Sequence, residues 1–406
     1  MASVIGTFVP TYQGLSARDL VLAHSRGRRH VMEGGSLAAA SPAARDRGFP
    51  FNVPHRLSFY RARNAIYHLF RALLETNPGL SVLAPDYNSG NEILAIRAAG
   101  ATIRYCPVRG DMTLDPDDVE RCCRIHNPDL LYVIHYVGWP QDMPALADIC
   151  RRRGMLLVED CALSLLSERD GRPIGTFGDW SVFCLYKTLP LPNGALLIQN
   201  GPRLESLERL TLKHAGSASV VGRTAELLVQ RIRGRANSIG AALQVVKRGM
   251  GRAAGALDVR RANVGDIGFN LDEVNLAMSR MSERLLATMD FGAIRRRRVD
   301  NYRRLAQHLS PHVVQVFPEL PEGVCPLFFP IIVSDKRATA EALRARGVDA
   351  LEFWNDTVEP GGHEMSSDAR FLRQHVLELP IHQDLTSRHI DHMARQVSSL
   401  GTRVAA

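Results

Sequence analysis

Residues Met155 to Lys187 read MLLVEDCALSLLSERDGRPIGTFGDWSVFCLYK, and the rest of the chain is read outward from them. Met155 to Glu159 is a short apolar run followed by a carboxylate, Asp160. Ser181 to Leu185 is a second such run, and a lysine, Lys187, follows it. Apolar runs of this length, bounded by turn residues, have the pattern of strands buried on both faces. Ligands in open parallel sheets bind outside the carboxyl ends of the strands. The stretch therefore predicts an acid and an amine at neighbouring strand ends, facing one cleft.

The same alternation continues on both sides. Upstream, the spacing predicts helices over Asn64 to Leu74, Glu92 to Ala99, Pro116 to Cys123 and Met143 to Arg153. These alternate with strands over Leu80 to Ala84, Thr102 to Cys106 and Leu130 to His135. Downstream, a Pro-rich turn (LPLPN) leads to a strand at Ala195 to Ile198. Strands alternating with helices indicate an α/β domain with a mostly parallel sheet. A smaller α/β unit is expected from a strand at Leu327 to Val333, a helix at Arg337 to Arg346 and a final helix from Thr386 to Leu400. Between the two units, a long helical region from Asn270 to Leu309 carries Arg295 to Arg298 as a solvated face. Residues 1–54 are weakly periodic and rich in Gly, Ser, Ala and Arg, which predicts an arm with little core. The expected organisation is an arm over 1–54, a large domain over 55–270 and a small C-terminal domain over 271–406.

Composition excludes several classes of function. With 45% apolar and 23% charged residues in 406, the chain is globular, neither disordered nor collagen-like. Seven cysteines form no C-x-x-C pair, so neither a zinc site nor a disulfide framework is expected, and a reducing cytoplasm fits best. No window approaches eighteen uninterrupted apolar residues, so no membrane span is expected. Of the net charge of +8, +7 falls between Val221 and Arg261, where nine basic residues face only Glu226 and Asp258. The rest of the chain is nearly neutral, which argues against a nucleic-acid-binding face. The basic stretch 221–257 carries Leu228, Ile232, Ile239, Leu243, Val246 and Met250 near helical spacing. It reads as a surface insertion or an arm over a partner subunit, with contact to an anionic membrane surface as the minority alternative.

Only four lysines occur, Lys187, Lys213, Lys247 and Lys336, so lysine chemistry has few candidates, Lys213 being second to Lys187. A strand-end Asp, a Lys at the next strand end and a helix start near Arg63, Asn64 and Ala65 suggest pyridoxal 5′-phosphate. The lysine amine would form a Schiff base with the cofactor, the carboxylate would keep the pyridine nitrogen protonated, and the helix start would hold the phosphate. Each residue also has an ordinary structural reading. Asp160 could cap a helix or turn, Asn64 could cap the first helix, and Tyr87 and His135 are more often core residues. His135 and Asp160 lack a third metal ligand at usable spacing, and Ser164 and Ser167 lack the glycines of a nucleophile elbow.

The words around these residues resemble the DegT/DnrJ/StrS family of pyridoxal-phosphate-dependent sugar aminotransferases. The matching segments, colinear from Ser58 to His382, are Pro85 to Gly100 (PDYNSGNEILAIRAAG), Val133 to Met143 (VIHYVGWPQDM), Val158 to Ala162 (VEDCA), Gly171 to Asp179 (GRPIGTFGD), Phe183 to Lys187 (FCLYK), Met278 to Leu286 (MSRMSERLL) and Leu379 to Leu385 (LPIHQDL). The resemblance implies an aspartate-aminotransferase-like fold, Asp160 on the pyridine nitrogen and Lys187 as the cofactor-bearing lysine. It implies a homodimer with active sites at the subunit interface, glutamate as amino donor and a nucleotide-linked keto sugar as acceptor, used for surface polysaccharide or a glycosylated metabolite. The chain departs from the family pattern at Leu163, where Gln or His is usual, at Cys184, where a phosphate-binding Ser is common, and at Ser89, where many members stack an aromatic on the ring. Those departures keep two alternatives open: other pyridoxal-phosphate sugar chemistry such as dehydration, and a non-catalytic binding or regulatory protein.

Overall fold

In the computed structural model, which describes residues 7–32, 48–235, 268–355 and 365–400, the apolar runs line up side by side in one sheet. Its strands are β1 (Arg56–Phe59), β2 (Ser81–Pro85), β3 (Thr102–Cys106), β4 (Leu130–Ile134), β5 (Leu156–Asp160), β8 (Trp180–Cys184) and β9 (Ala195–Gln199), in the order β1-β9-β8-β5-β4-β2-β3. The short hairpin β6 (Glu168–Arg169) and β7 (Arg172–Pro173) lies between β5 and β8. β3, β2, β4, β5 and β8 are mutually parallel, and β9 runs against both its neighbours. Every residue of β4 (LLYVI) and β8 (WSVFC) is buried, as expected for central strands covered by helices on both faces.

Strand order reverses between β2 and β4, so the loops after β2, β4, β5 and β8 open at one end of the sheet, which is where a ligand cleft belongs in such a sheet. Helices Ala62–Thr76, Asn91–Ala99, Pro116–His126 and Met143–Arg153 supply the crossovers, in agreement with the periodicity. Beyond a short parallel pair, β10 (Lys213–His214) and β11 (Leu276–Ala277), the chain builds a three-stranded antiparallel sheet. It is made of β12 (Val314–Gln315), β13 (Phe328–Ile332) and β14 (Val376–Pro380), with helices Lys336–Ala345, Ser367–His375 and Ser387–Ser399.

Four expectations need correction. The N-terminal arm does carry core: Phe8, Val9, Leu15, Ala23 and Phe51 are buried, and Phe51 stacks on Phe291 at 4.4 Å between ring centroids. These apolar residues have no period of their own because they fill gaps between other elements; Val9, for example, bonds the Gly347 carbonyl and bridges to Val348. The single long helix expected from Asn270 is broken by β11 and by two fresh helix starts. Ser279 caps Arg280–Leu286 and Asp290 caps Phe291–His308, each side chain accepting a first-turn N–H. Arg298 is no part of a solvated face, being 1% exposed. Finally, β1, β14 and the helix Ser367–His375 were not anticipated.

Of the basic stretch, 221–235 belongs to the helix Ser217–Arg235, while 236–257 lies outside the described residues. Leu227 is buried and Leu228 packs beside it on the cluster around Leu15, Phe51 and Phe183. That face of the helix is covered by its own chain, although Val221 remains exposed. Gly14 is pressed against this helix so closely that a Cβ would stand 2.5 Å from the Arg231 amide nitrogen, which requires glycine there. Among the described residues no helix is long and apolar enough to cross a membrane.

Candidate active site

The register places Ile134 beside Asp160 and Asp160 beside Val182, so Asp160 stands at the carboxyl end of β5 between β4 and β8, the end at which parallel sheets bind ligands. Its carboxylate is oriented from two sides. Tyr132, two residues back along β4, donates its hydroxyl at 2.6 Å, and the Ala162 amide donates at 2.9 Å to the other oxygen. Burial, with Asp160 next in effect, pushes the Tyr132 hydroxyl well above its ordinary value, so it remains a donor. Asp160 caps no helix. Both its oxygens retain acceptor capacity for one further cationic N–H.

Lys187 follows β8 in a single helical turn, Leu185–Thr188, instead of the plain strand-end turn expected. The turn is held by its backbone. Gln13 of the N-terminal arm donates to the Lys187 carbonyl at 3.2 Å, and Thr188's carbonyl accepts from Arg298 at 3.1 Å and Gln383 at 3.3 Å. The lysine amine lies 5.7 Å from the centre of the Phe353 ring, which reaches over from beyond β13. Cys184 senses both candidate groups: burial pushes its thiol up, the Lys187 charge opposes that, and Asp160 adds to it. Lys213, by contrast, is exposed on β10.

The helix Ala62–Thr76 begins at Arg61 with extended backbone and no side-chain cap. Its positive end therefore faces the cleft without a built-in anion. Arg61 and Arg63 flank it, and both charges reach the Tyr186 hydroxyl, next to the Lys187 turn, whose value is pushed up first by burial and then by Cys184. The Arg63 guanidinium also donates to the Gly268 carbonyl. Asn64 does not cap the first helix with its side chain. Its side-chain amide bonds the Glu273 carbonyl at 2.6 Å, and the N–H groups of Asn64 and Ala65 both return to the Arg61 carbonyl.

The remaining predicted residues divide. Leu163 is buried in the main core, and Ser89 is occupied by Glu92, whose carboxylate accepts the Ser89 N–H at 2.7 Å and also its hydroxyl. Burial raises Glu92, and Asp160 raises it further. Tyr87 sits in an aromatic cluster, 4.8 Å from Trp354 and 5.5 Å from Tyr136 between ring centroids.

His135, Glu159 and Cys161 place donor atoms within 4.8 Å of one another, but hydrogen bonds account for this cluster. Glu159 accepts from the amides of Gly175, Phe177 and Gly178 and from His135 Nε2, while His135 Nδ1 accepts the Gln141 amide. The carboxylate thus ties the β6–β7 hairpin and the loop after it to the end of β4.

Comparison with known proteins gives this geometry a family. The model of the DegT/DnrJ/EryC1/StrS aminotransferase family matches residues 51–398, nearly the whole described body. The chain belongs to that family. Among its DegT/DnrJ/EryC1/StrS relatives, the dTDP-4-dehydro-2,3,6-trideoxy-D-glucose 4-aminotransferase of Saccharopolyspora spinosa is 32% identical over 166 residues, 40% of this chain and 42% of that one. The chain thus spans about two fifths of the length of that relative in the match. The UDP-N-acetyl-3-dehydro-alpha-D-glucosamine 3-aminotransferase of Acidithiobacillus ferrooxidans is 24% identical over 84% of this chain and 83% of its own length. The crystal structure of the aminotransferase TlmJ from Streptoalloteichus hindustanus shares the fold, with a TM-score of 0.68, 98% coverage of both chains and 23% identity.

Sequence reading missed Tyr132, Gln13, Arg298 and Phe353. Tyr132 had a signal, being the single polar tip in an otherwise apolar strand, two residues from the strand's end. Phe353 and Gln13 had none, since each lies more than 150 residues from Lys187.

Proposed function

We propose that this chain is a pyridoxal-phosphate-dependent aminotransferase that moves an amino group from glutamate to a nucleotide-linked keto sugar. We place it in the cytoplasm, as a homodimer, supplying amino sugars for polysaccharide or glycoconjugates. The observation that carries the reading is the placement of Asp160 at the end of β5 and of Lys187 in the turn that follows the adjacent β8, together with an uncapped helix start flanked by two arginines. The names of the relatives support the class of acceptor.

The residues fit the cofactor. Asp160, with acceptor capacity left on a fixed carboxylate, would hold the protonated pyridine nitrogen. The start of Ala62–Thr76 with Arg61 and Arg63 would hold the phosphate, and Lys187 would bear the cofactor's aldehyde carbon. When bound, pyridoxal phosphate supplies an electron sink for the bond broken at the amino-bearing carbon. The protein's own work is then positional and acid-base. Lys187, released once the donor's amine takes its place, would take the proton from the donor's α-carbon and deliver one in return, and would run the same exchange in reverse on the acceptor. Gln13 and Arg298 keep the lysine turn still, and Phe353 walls the amine from solvent. Leu163 and Cys184, where relatives place polar groups, leave the cofactor's flank to apolar and thiol contacts. The Asp160–Lys187 pair itself is kept.

The test is the visible absorbance of purified protein with pyridoxal phosphate, before and after glutamate, followed by addition of dTDP- and UDP-linked keto sugars. A cofactor band that glutamate bleaches and a keto sugar restores is expected. Absence of any band with excess cofactor would remove the reading in favour of a binding protein.

Tyr132→Phe tests the Asp160 geometry separately. A hydrogen bond to a charged group contributes roughly 1.5–3 kcal/mol to stability, so a stability loss of that order is expected, and about a tenfold or greater fall in kcat/KM in the protein that remains folded. An unchanged rate would mean that Asp160 does not depend on Tyr132 for its orientation.

A further inference from the structure

The chain carries a buried carboxyl, Glu378, and a buried amine, Lys336, for which the mechanism above has no use. Glu378 lies on β14 with 0% exposure, and Lys336 opens the helix Lys336–Ala345 at 5%. Both grip one residue. Glu378 Oε2 accepts the Phe353 N–H at 3.2 Å, and Lys336 Nζ donates to the Phe353 carbonyl at 2.6 Å and to the Arg373 carbonyl at 3.2 Å. We infer that Glu378 and Lys336 form a brace that holds Phe353 over the Lys187 amine, which makes them positioning residues for the reaction. The inference rests on the reading of Lys187 as the reacting amine.

Three further observations support the brace. First, the residues on either side of Phe353 are pinned as well. Leu351 pairs with Glu378 through its backbone, and Arg373 donates to the carbonyls of Trp354 at 3.0 Å and Asn88 at 2.8 Å. Second, Trp354 has a φ of 54°, a left-handed conformation that a bulky residue rarely adopts and that persists only when its surroundings over-determine it. With it, Trp354 stacks on Phe353 at 5.0 Å and meets Tyr87 and Tyr136 edge-on. Third, Glu378 is an expensive choice for a strand otherwise reading Val-Leu-x-Leu-Pro. Its Oε1 is buried without a hydrogen-bond partner, so an apolar residue would serve the core alone better.

The protonation behaviour fits a local tether. Burial pushes Glu378 up to about 8, against the pull of Lys336, and lowers Lys336. An amide of the same shape, whose oxygen still accepts the Phe353 N–H, should therefore replace the carboxyl. The brace thus connects the C-terminal unit to the Lys187 turn through one aromatic ring.

The experiment compares Glu378→Leu with Glu378→Gln in the full chain labelled with 5-fluorotryptophan. The chain has three tryptophans, Trp139, Trp180 and Trp354, and Trp354→Phe assigns the relevant fluorine signal. In Glu378→Leu the Trp354 signal should shift or broaden while the other two stay in place, and kcat/KM should fall roughly tenfold or more, as expected when a reacting group loses its wall. Glu378→Gln should return both signal and rate to within about twofold of the parent. An unmoved Trp354 signal in Glu378→Leu, or equal losses in the Leu and Gln variants, would overturn the brace. If Glu378→Leu does not fold, Lys336→Met removes the second tether and the same signal decides. The fluorine readout needs neither cofactor nor turnover, so an inactive parent protein would count against the proposed function and leave the brace to be judged separately.

Discussion

Lys187→Ala is expected to lower amino transfer by at least roughly a thousandfold, since one amine both bears the cofactor and moves the proton. The other lysines offer no substitute among the described residues. Lys213 is exposed on β10, and Lys336 is bound to two backbone carbonyls in the small sheet's shell. Stability should change little, because the neighbours hold the backbone of the Lys187 turn and not its amine. The measurement pairs a thermal melt with single-turnover kinetics and the absorbance spectrum. Loss of both the covalent cofactor band and the rate, at an unchanged melting midpoint, is the expected outcome. A variant within tenfold of the parent rate would show that another amine does the chemistry.

Arg298→Met should instead destabilise the fold by roughly 3–5 kcal/mol, because it strips the donor from several buried neutral acceptors at roughly 1–3 kcal/mol each. Arg298 is enclosed, and burial lowers its guanidinium to about 10, so it is still charged at neutral pH. Its donors reach Gln383 Oε1 at 3.0 Å, the carbonyls of Leu327 at 3.0 Å, Thr188 at 3.1 Å and Pro326 at 3.3 Å, and Gln13 Oε1 at 3.3 Å. One fork therefore ties the N-terminal arm, the lysine turn, the start of β13 and the loop after β14. Removing it leaves several buried acceptors without donors, each costing roughly 1–3 kcal/mol unless water enters. Lysine should not rescue, because a single ammonium cannot span five acceptors in a plane. Urea unfolding checks the stability change. A loss under 1 kcal/mol would mean that water replaces the guanidinium without cost.

The two variants separate what was readable in advance from what was not. Lys187 and Asp160 were legible because each ends an apolar run in a parallel sheet, where the period and the strand-end rule suffice to place a side chain. The alternation over Asn64 to Ile198 was legible for the same reason: apart from the edge strand β3, its strands are central and largely buried, so their apolar runs are nearly uninterrupted. β1 was not, because three of its four residues are only partly buried and its sequence, RLSF, is short and mixed. β14 was hidden by Glu378, a charged residue in the middle of a buried strand, whose reason for being there is Phe353. Arg298 was misread because a run of four arginines on a helix has no internal sign of which one faces inward. That depends on what the N-terminal arm and β13 bring against it.

Asn64 shows the converse error. Its position at a helix start made a capping role plausible, yet Arg61 is the N-cap and the Asn64 side-chain amide bonds the carbonyl of Glu273, from beyond the basic stretch.

Local pattern thus determined the parallel sheet, the end of it at which a ligand cleft belongs, and the acid and amine that stand near neighbouring strand ends there. These follow from periodicity and strand direction, which are properties of neighbouring residues. The tertiary structure alone decided what aims and encloses them: Tyr132 on Asp160, Gln13 and Arg298 beneath Lys187, and Phe353 above it on its brace of Glu378 and Lys336. Those contacts join segments from tens to hundreds of residues apart, and buried hydrogen bonds of that kind leave no period in the chain that makes them.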